Sequence, residues 1–154
     1  MIELKRILVP TDFSEPSAAA VKYAKAFAEA FGASLHVLHV LEDPFIFAPT
    51  SEGYAAPPEF YADMEKNARD RLGTVLSDAD LKKLKTQLAL KKGSPFVEIV
   101  RYAKSEDIDL IVMGTHGRGP IAHMLMGSVA ERVVRKAPCP VLTVRNPEHE
   151  FVMP

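Results

Sequence analysis

The chain has a single cysteine, Cys139, among its 154 residues. One cysteine cannot form an internal disulfide, so no disulfide framework and no oxidising compartment is indicated. Charge of one sign is missing too: 19 Lys and Arg stand against 20 Asp and Glu, for a net charge of −1. Without a basic excess or a polybasic run, neither nucleic acid nor an anionic membrane is an expected partner. No apolar run approaches the ~18 residues of a membrane-spanning helix. The opening Met1-Ile2-Glu3-Leu4-Lys5-Arg6 lacks the layout of a signal peptide. There is no Gly-x4-Gly-Lys-Ser/Thr, which argues against a P-loop NTPase, and no internal repeat or low-complexity tract. The simplest expectation is a soluble cytoplasmic protein. Its length suits one domain able to bury about two-thirds of its unfolded surface, and 47% hydrophobic with 25% charged residues is a globular composition.

What is present alternates between two periods. Ile7–Pro10 and Leu35–Val40 are short runs rich in Val, Ile and Leu without strict alternation, as in strands covered on both faces. Between them an alanine-rich helix is expected over Pro16–Phe31, with Ala20, Ala24, Phe27 and Phe31 inward and Gly32 as its C-cap. A second helix starts near Pro58, with Tyr61, Met64, Ala68 and Leu72 at helical spacing. Thr86–Leu90 reads as the third strand. Ser94-Pro95 then opens a helix whose stripe is Phe96, Ile99, Val100 and Ala103. Strand four is Ile108–Met113, the last helix Val129–Lys136, and strand five runs from Pro140 to about Arg145. Five strands separated by four helices predict one α/β domain with a parallel sheet. It spans residues 1–146, followed by a flexible tail, 147–154. An irregular segment, 42–57, carries Pro44, Pro49, Pro57, Gly53 and three aromatics. It is too long for a routine connection and reads as a lid, an oligomer contact or a variable surface loop, the last two together being favoured.

The chemistry concentrates after strand four. Gly114-Thr115-His116-Gly117, nine residues, then Gly127-Ser128 link a strand to a helix N-terminus. Unpaired backbone N–H groups and the helix dipole suit such a place to an anion, above all a phosphate. The bland alternative is a capping box, with Ser128 and Glu131 satisfying the first turn. Ligands of an open doubly wound sheet sit beyond the carboxyl ends of its strands, where the order reverses. With order 3-2-1-4-5, strands one and four meet there. The loop after strand one supplies Pro10-Thr11-Asp12-Phe13-Ser14, an acid able to accept hydrogen bonds from a ribose or base. Taken alone, Asp12 reads as an acid complementing the dipole of the first helix.

The segments Val9–Ser14, Ile111–Gly119 and Gly127–Val133, with the ending Ala137-Pro138-Cys139-Pro140-Val141-Leu142, resemble the universal stress protein family. The likeness runs from Lys5 to Arg145, and the complete Gly-x2-Gly-x9-Gly-Ser spacing is similar to the family's ATP-binding branch. The resemblance implies a single doubly wound, Rossmann-like α/β fold: a parallel five-stranded sheet of order 3-2-1-4-5 with helices on both faces. It implies an adenine-nucleotide site in which Asp12, beside Pro10 and Thr11, faces the adenosine. Val40 meets the adenine through its main chain, and Met113 and Gly114 line the ribose. Gly117, Gly127, Ser128 and Val129 hold the phosphates. His116 and Arg118 are further candidates for phosphate contact. ATP is the implied ligand, with Mg2+ or Mn2+ held mainly by phosphate oxygens and water. The resemblance also implies a homodimer through strand 140–145; the protein partner is not indicated. The expected role is a stress-response or regulatory module whose nucleotide controls assembly or partner binding. The alternative is a slow ATP hydrolase or nucleotidyl-transfer enzyme using the same pocket.

Three other patterns are set aside. Gly117-Arg118-Gly119-Pro120-Ile121-Ala122 satisfies Gly-x-Gly-x-x-Ala but follows strand four, and strand five ends at Arg145-Asn146 with no acid there for a ribose. His36 and His39 fall on opposite faces of one strand and cannot share a metal. A phospho-aspartate receiver needs an acidic cluster after strand one and another acid after strand three, where this chain has Asp12 alone and Lys91-Lys92.

Overall fold

The computed structural model describes residues 1–44, 56–116 and 126–145. The expected sheet is present: β1 (Arg6–Pro10), β2 (Ser34–Leu41), β3 (Gln87–Lys92), β4 (Leu110–Gly114) and β5 (Val141–Val144). They lie in the order β3-β2-β1-β4-β5, and every adjacent pair is parallel. β1 is central, and its apolar middle fits that place: Ile7, Leu8 and Val9 are fully buried. It pairs Ile7 with Leu35 on one side and with Leu110 on the other.

Alternate residues feed two cores. Ile7, Val9, Leu35, Val37 and Val112 pack with Ala20, Ala24 and Ala28 of α1 (Glu15–Phe31) and with Leu72 of α2 (Pro58–Leu72). Leu8, Leu38, Ile111 and Met113 pack with Ile99, Tyr102 and Ala103 of α4 (Pro95–Ser105) and with Ala130 and Val133 of α5 (Ser128–Lys136). Helices thus cover both faces, as the buried central strands require.

Several details depart from expectation. The inner stripe of α1 is Ser17, Ala20, Val21, Ala24 and Ala28; Phe31 is exposed and stacks on Phe27, ring centroids 6.2 Å apart. Small alanines let the helix axis lie close to the sheet, which leaves the large ring at its end outside. Gly32 does cap α1 in the left-handed region, at φ 67. Ser94 stands at the N-cap of α4 but makes no side-chain capping bond, and buried Tyr102 joins the stripe. A short helix, α3 (Asp78–Lys83), lies where none is expected. Leu81 packs against the core between buried Leu76 and Leu84, and Ser77 Oγ caps the helix by accepting from the Asp80 amide at 3.2 Å. Lys25–Asp80 (2.9 Å) and Lys83–Glu29 (3.1 Å) then tie it to α1. β3 runs on to Lys92, whose Nζ is 2.6 Å from Glu65 of α2. The segment 42–57 and the tail fall largely or wholly outside the described residues. Among the described residues, no helix is long and apolar enough to cross a membrane.

Candidate functional site

The loop leaving β1 is held by its neighbours in the sheet. The Thr11 amide donates to the Leu38 carbonyl at 2.8 Å, carrying the ladder one residue past the strand. His39 Nδ1 lies 2.8 Å from the Thr11 carbonyl. The Thr11 hydroxyl, itself buried, accepts from the Phe13 amide at 3.0 Å and meets Ser17 Oγ at 3.1 Å. Asp12 Oδ1 accepts from the Ser14 amide at 3.0 Å and from the Ser14 hydroxyl. Ser14, not Asp12, is the N-cap of α1, and the first-turn acid is Glu15. Asp12 thus stands ahead of the helix and not within its first turn. Its carboxylate closes an Asx turn two residues ahead of the helix and stays half-buried.

The second wall comes from β4 and α5. Met113 is buried and Gly114 half-buried. A Cβ at Gly114 would lie 3.0 Å from the Pro16 carbonyl carbon and oxygen, so this glycine lets the end of β4 press on the start of α1. The Thr115 amide donates to the Val144 carbonyl at 3.1 Å. The Gly127 amide donates to the Thr115 carbonyl at 2.6 Å. Gly127 is the N-cap of α5 and provides no side-chain cap. Glu131 pairs with Arg135 at 2.8 Å instead of reaching back. The capping box, the bland alternative for Ser128 and Glu131, does not form, because Ser128 is already the first helical residue. The Gly127 N–H is engaged internally; the first-turn N–H groups that no helical carbonyl can reach belong to Ser128, Val129 and Ala130.

These walls enclose a cleft of about 450 Å³ beyond the carboxyl ends of β1 and β4. Among the residues expected at a site, Pro10, Thr11, Asp12, Val40, Met113, Gly114, His116, Gly127, Ser128 and Val129 all line it. Gly117 and Arg118, and likewise His123, lie outside the described residues. The cleft also holds residues that the sequence reading did not assign to it: His39, Glu42, Met64, Pro95, Ile99 and Thr115. Met64 comes from α2 and Pro95 and Ile99 from α4, an apolar side brought in by packing across the sheet that no local motif announces. Nothing beside His39 in the sequence points it toward this cleft. No lysine or arginine is among the described lining residues; among them the α5 first turn supplies positive potential. His116 Nδ1 lies 3.0 Å from the Thr115 hydroxyl.

The remaining chemistry-bearing residues sit elsewhere. His36, fully buried on the α4 face, has Nδ1 2.9 Å from the Tyr102 hydroxyl. Burial holds its pKa below the ordinary histidine value and pushes Tyr102 up to about 12. His39 contacts Phe13 on the opposite face, so the two histidines diverge as expected. Burial raises the Cys139 thiol pKa, with Asp109 adding to it, the reverse of what a reactive thiolate needs. Among the described residues no three His, Cys, Asp or Glu side chains gather as a metal site.

A model described as the universal stress protein family matches residues 3–145. Universal stress protein MJ0531 of Methanocaldococcus jannaschii is 35% identical over 147 residues, covering 95% of this chain and 85% of that one. Universal stress protein MJ0577 of the same organism is 32% identical over 92% of this chain and 95% of its own length. The solved structure of MJ0577 matches with a TM-score of 0.72, covering 94% of this chain and 97% of that one at 31% identity. A universal stress protein solved in complex with cAMP matches with a TM-score of 0.58 at 27% identity, covering 93% of this chain and 98% of that one. By sequence over nearly its whole length and by the order of its sheet, the chain belongs to the universal stress protein family.

Proposed function

We propose that the cleft binds an adenine nucleotide, ATP with Mg2+ or Mn2+, and that the protein is a stress-response or regulatory module acting through nucleotide-dependent assembly or partner binding. The observation that carries this reading is the meeting of Asp12, the end of β2 at Val40 and the first turn of α5 in one cleft. A carboxylate suits ribose hydroxyls, an apolar strand end that runs past its β1 neighbour suits a base, and a helix N-terminus suits phosphate. The related protein in complex with cAMP supports the adenine class. In this assignment Val40 addresses the base by its main chain, and Met113, Gly114 and Asp12 the ribose. Ser128 and Val129, with Gly117, Arg118 and His116, address the phosphates, while Gly127 keeps the approach to them open. The divalent ion would be bound by phosphate oxygens and water.

Binding, not turnover, is the activity proposed. The groups aimed at the phosphates are mainly main-chain N–H donors, which hold charge without positioning an attacking water. We further propose a homodimer through β5, an edge strand whose Val141, Leu142 and Thr143 are only half-buried.

The test is thermal melting and calorimetric titration with ATP and Mg2+, with AMP, cAMP and GTP as comparisons. Ligand at about 100 times its Kd stabilises the fold by roughly 2.7 kcal/mol, which raises Tm by about 5–10 °C at this size. No shift with any adenine nucleotide, while a known binder responds in the same assay, would defeat the proposal.

A further inference from the structure

Phe13 adopts φ 64. A phenylalanine gains nothing locally there: its Cβ crowds the backbone, and it has no polar side-chain atom to compensate, as asparagine would. Its environment supplies the restraint. The Phe13 amide donates to the Thr11 hydroxyl at 3.0 Å. Its ring centroid is 4.4 Å from that of His39, tilted by 35°. The Arg71 guanidinium of α2 lies over the same ring, 4.3 Å from its centroid. His39 acts on the backbone as well. Its Nδ1 is 2.8 Å from the Thr11 carbonyl, and a carbonyl only accepts, so Nδ1 carries the hydrogen. One histidine of β2 therefore holds the residue before Asp12 by a hydrogen bond and the residue after it by ring contact.

We infer that His39, Phe13 and Arg71 are positioning residues for Asp12, forming a unit that fixes the β1–α1 loop and ties its geometry to α2. The unit also stands between two clefts. Phe13 and Arg71 line a second one, about 480 Å³, between α1 and the end of α2. Thr11 and Ser17 line both. Only the affinity arm of the test below rests on the adenine-nucleotide reading.

Three kinds of variant separate the parts. His39→Phe keeps a ring but removes the donor, whereas His39→Asn returns an N–H close to the position of Nδ1. Arg71→Lys keeps charge but loses the planar group that stacks. Phe13→Gly accepts the left-handed backbone and removes the ring. The readouts are the His39 tautomer by 15N NMR, hydrogen exchange of the Phe13 and Ser14 amides, and affinity for ATP with Mg2+. In the wild-type protein His39 is expected as the Nδ1–H tautomer. His39→Phe is expected to speed exchange at both amides about 10-fold, with Leu35 and Val37 unaffected, as local opening would. ATP affinity falls about 10-fold with it, and His39→Asn recovers part of both. Arg71→Lys and Phe13→Gly move exchange in the same direction by smaller factors. An Nε2–H tautomer, or loop exchange unchanged in both His39→Phe and Phe13→Gly, overturns the positioning unit whatever the affinity. Loop exchange that responds in a protein that does not bind ATP supports the unit and overturns the nucleotide reading instead.

Discussion

The Gly127 amide donates to the Thr115 carbonyl at 2.6 Å, so the strand-four exit and the start of α5 are joined directly across the intervening loop. Gly127 has φ −71 and ψ 158, extended backbone open to any residue. Its glycine is therefore not demanded by conformation. Gly127→Ala is expected to leave Tm unchanged and, if phosphate approaches this Cα, to weaken ATP at least 10-fold by calorimetry, a loss of about 1.4 kcal/mol. Gly127→Pro fits the same φ but removes the N–H. It is expected to cost about 0.5–1.5 kcal/mol of stability in urea unfolding. Unchanged ATP affinity in Gly127→Ala would move the phosphates elsewhere.

Gly114 behaves differently, because the nearest obstacle to a side chain is backbone. With Pro16 main-chain atoms 3.0 Å from where a Cβ would stand, Gly114→Ala requires the start of α1 to give way by a few tenths of an ångström. Destabilisation of about 1–3 kcal/mol is expected from such overpacking. Urea unfolding without nucleotide measures it, and a neutral result would show that α1 moves freely at this end.

Asp12→Asn tests charge apart from fold. The amide oxygen can still accept from the Ser14 N–H, so the Asx turn and the melting curve should persist. Losing a charged acceptor for ribose hydroxyls is expected to weaken adenosine nucleotides by about 1.5–3 kcal/mol. Equal affinity of Asp12→Asn and wild type would remove Asp12 from the site.

His36 ties stability to pH. Burial lowers its folded pKa below the unfolded value near 6.5. Above the unfolded pKa both states are neutral and the contribution is fully present. As pH falls below it, the unfolded chain takes up a proton that the folded one does not. Stability should then decline by up to ~1.4 kcal/mol per pH unit until the folded pKa is reached. Urea unfolding from pH 8 to 5 would show this slope in wild type and its loss in His36→Gln; identical slopes would place the proton uptake at another group.

Thr143→Lys addresses assembly. β5 pairs with β4 alone among the described strands, and a charge on its half-buried face should disfavour a second copy. Sedimentation is expected to give a dimer for wild type and a monomer for the variant. A monomeric wild type at micromolar concentration ends the proposal.

Much of this protein can be read along the chain, because the information is local. Unbroken apolar runs at Ile7–Val9 and Ile111–Met113 mean strands covered twice, which requires helices on both faces. Gly32 marks a helix end through its left-handed φ, and the spacing around Gly114 and Gly127 marks the connection from β4 to the start of α5. Short-range chemistry of this kind leaves its signature in neighbouring letters.

Other features depend on groups far apart in sequence. Phe31 has a helical spacing that suggests burial, yet the close approach of alanines leaves it outside. α3 docks through Leu81 and ion pairs to α1, more than fifty residues away. The Gly127 amide looks available until Thr115 is seen to occupy it. His39 is an undistinguished strand residue until the sheet sets it against Thr11 and Phe13. Periodicity states which side of an element is apolar; which atom satisfies which depends on where the elements come to rest, and packing across the sheet alone settles that.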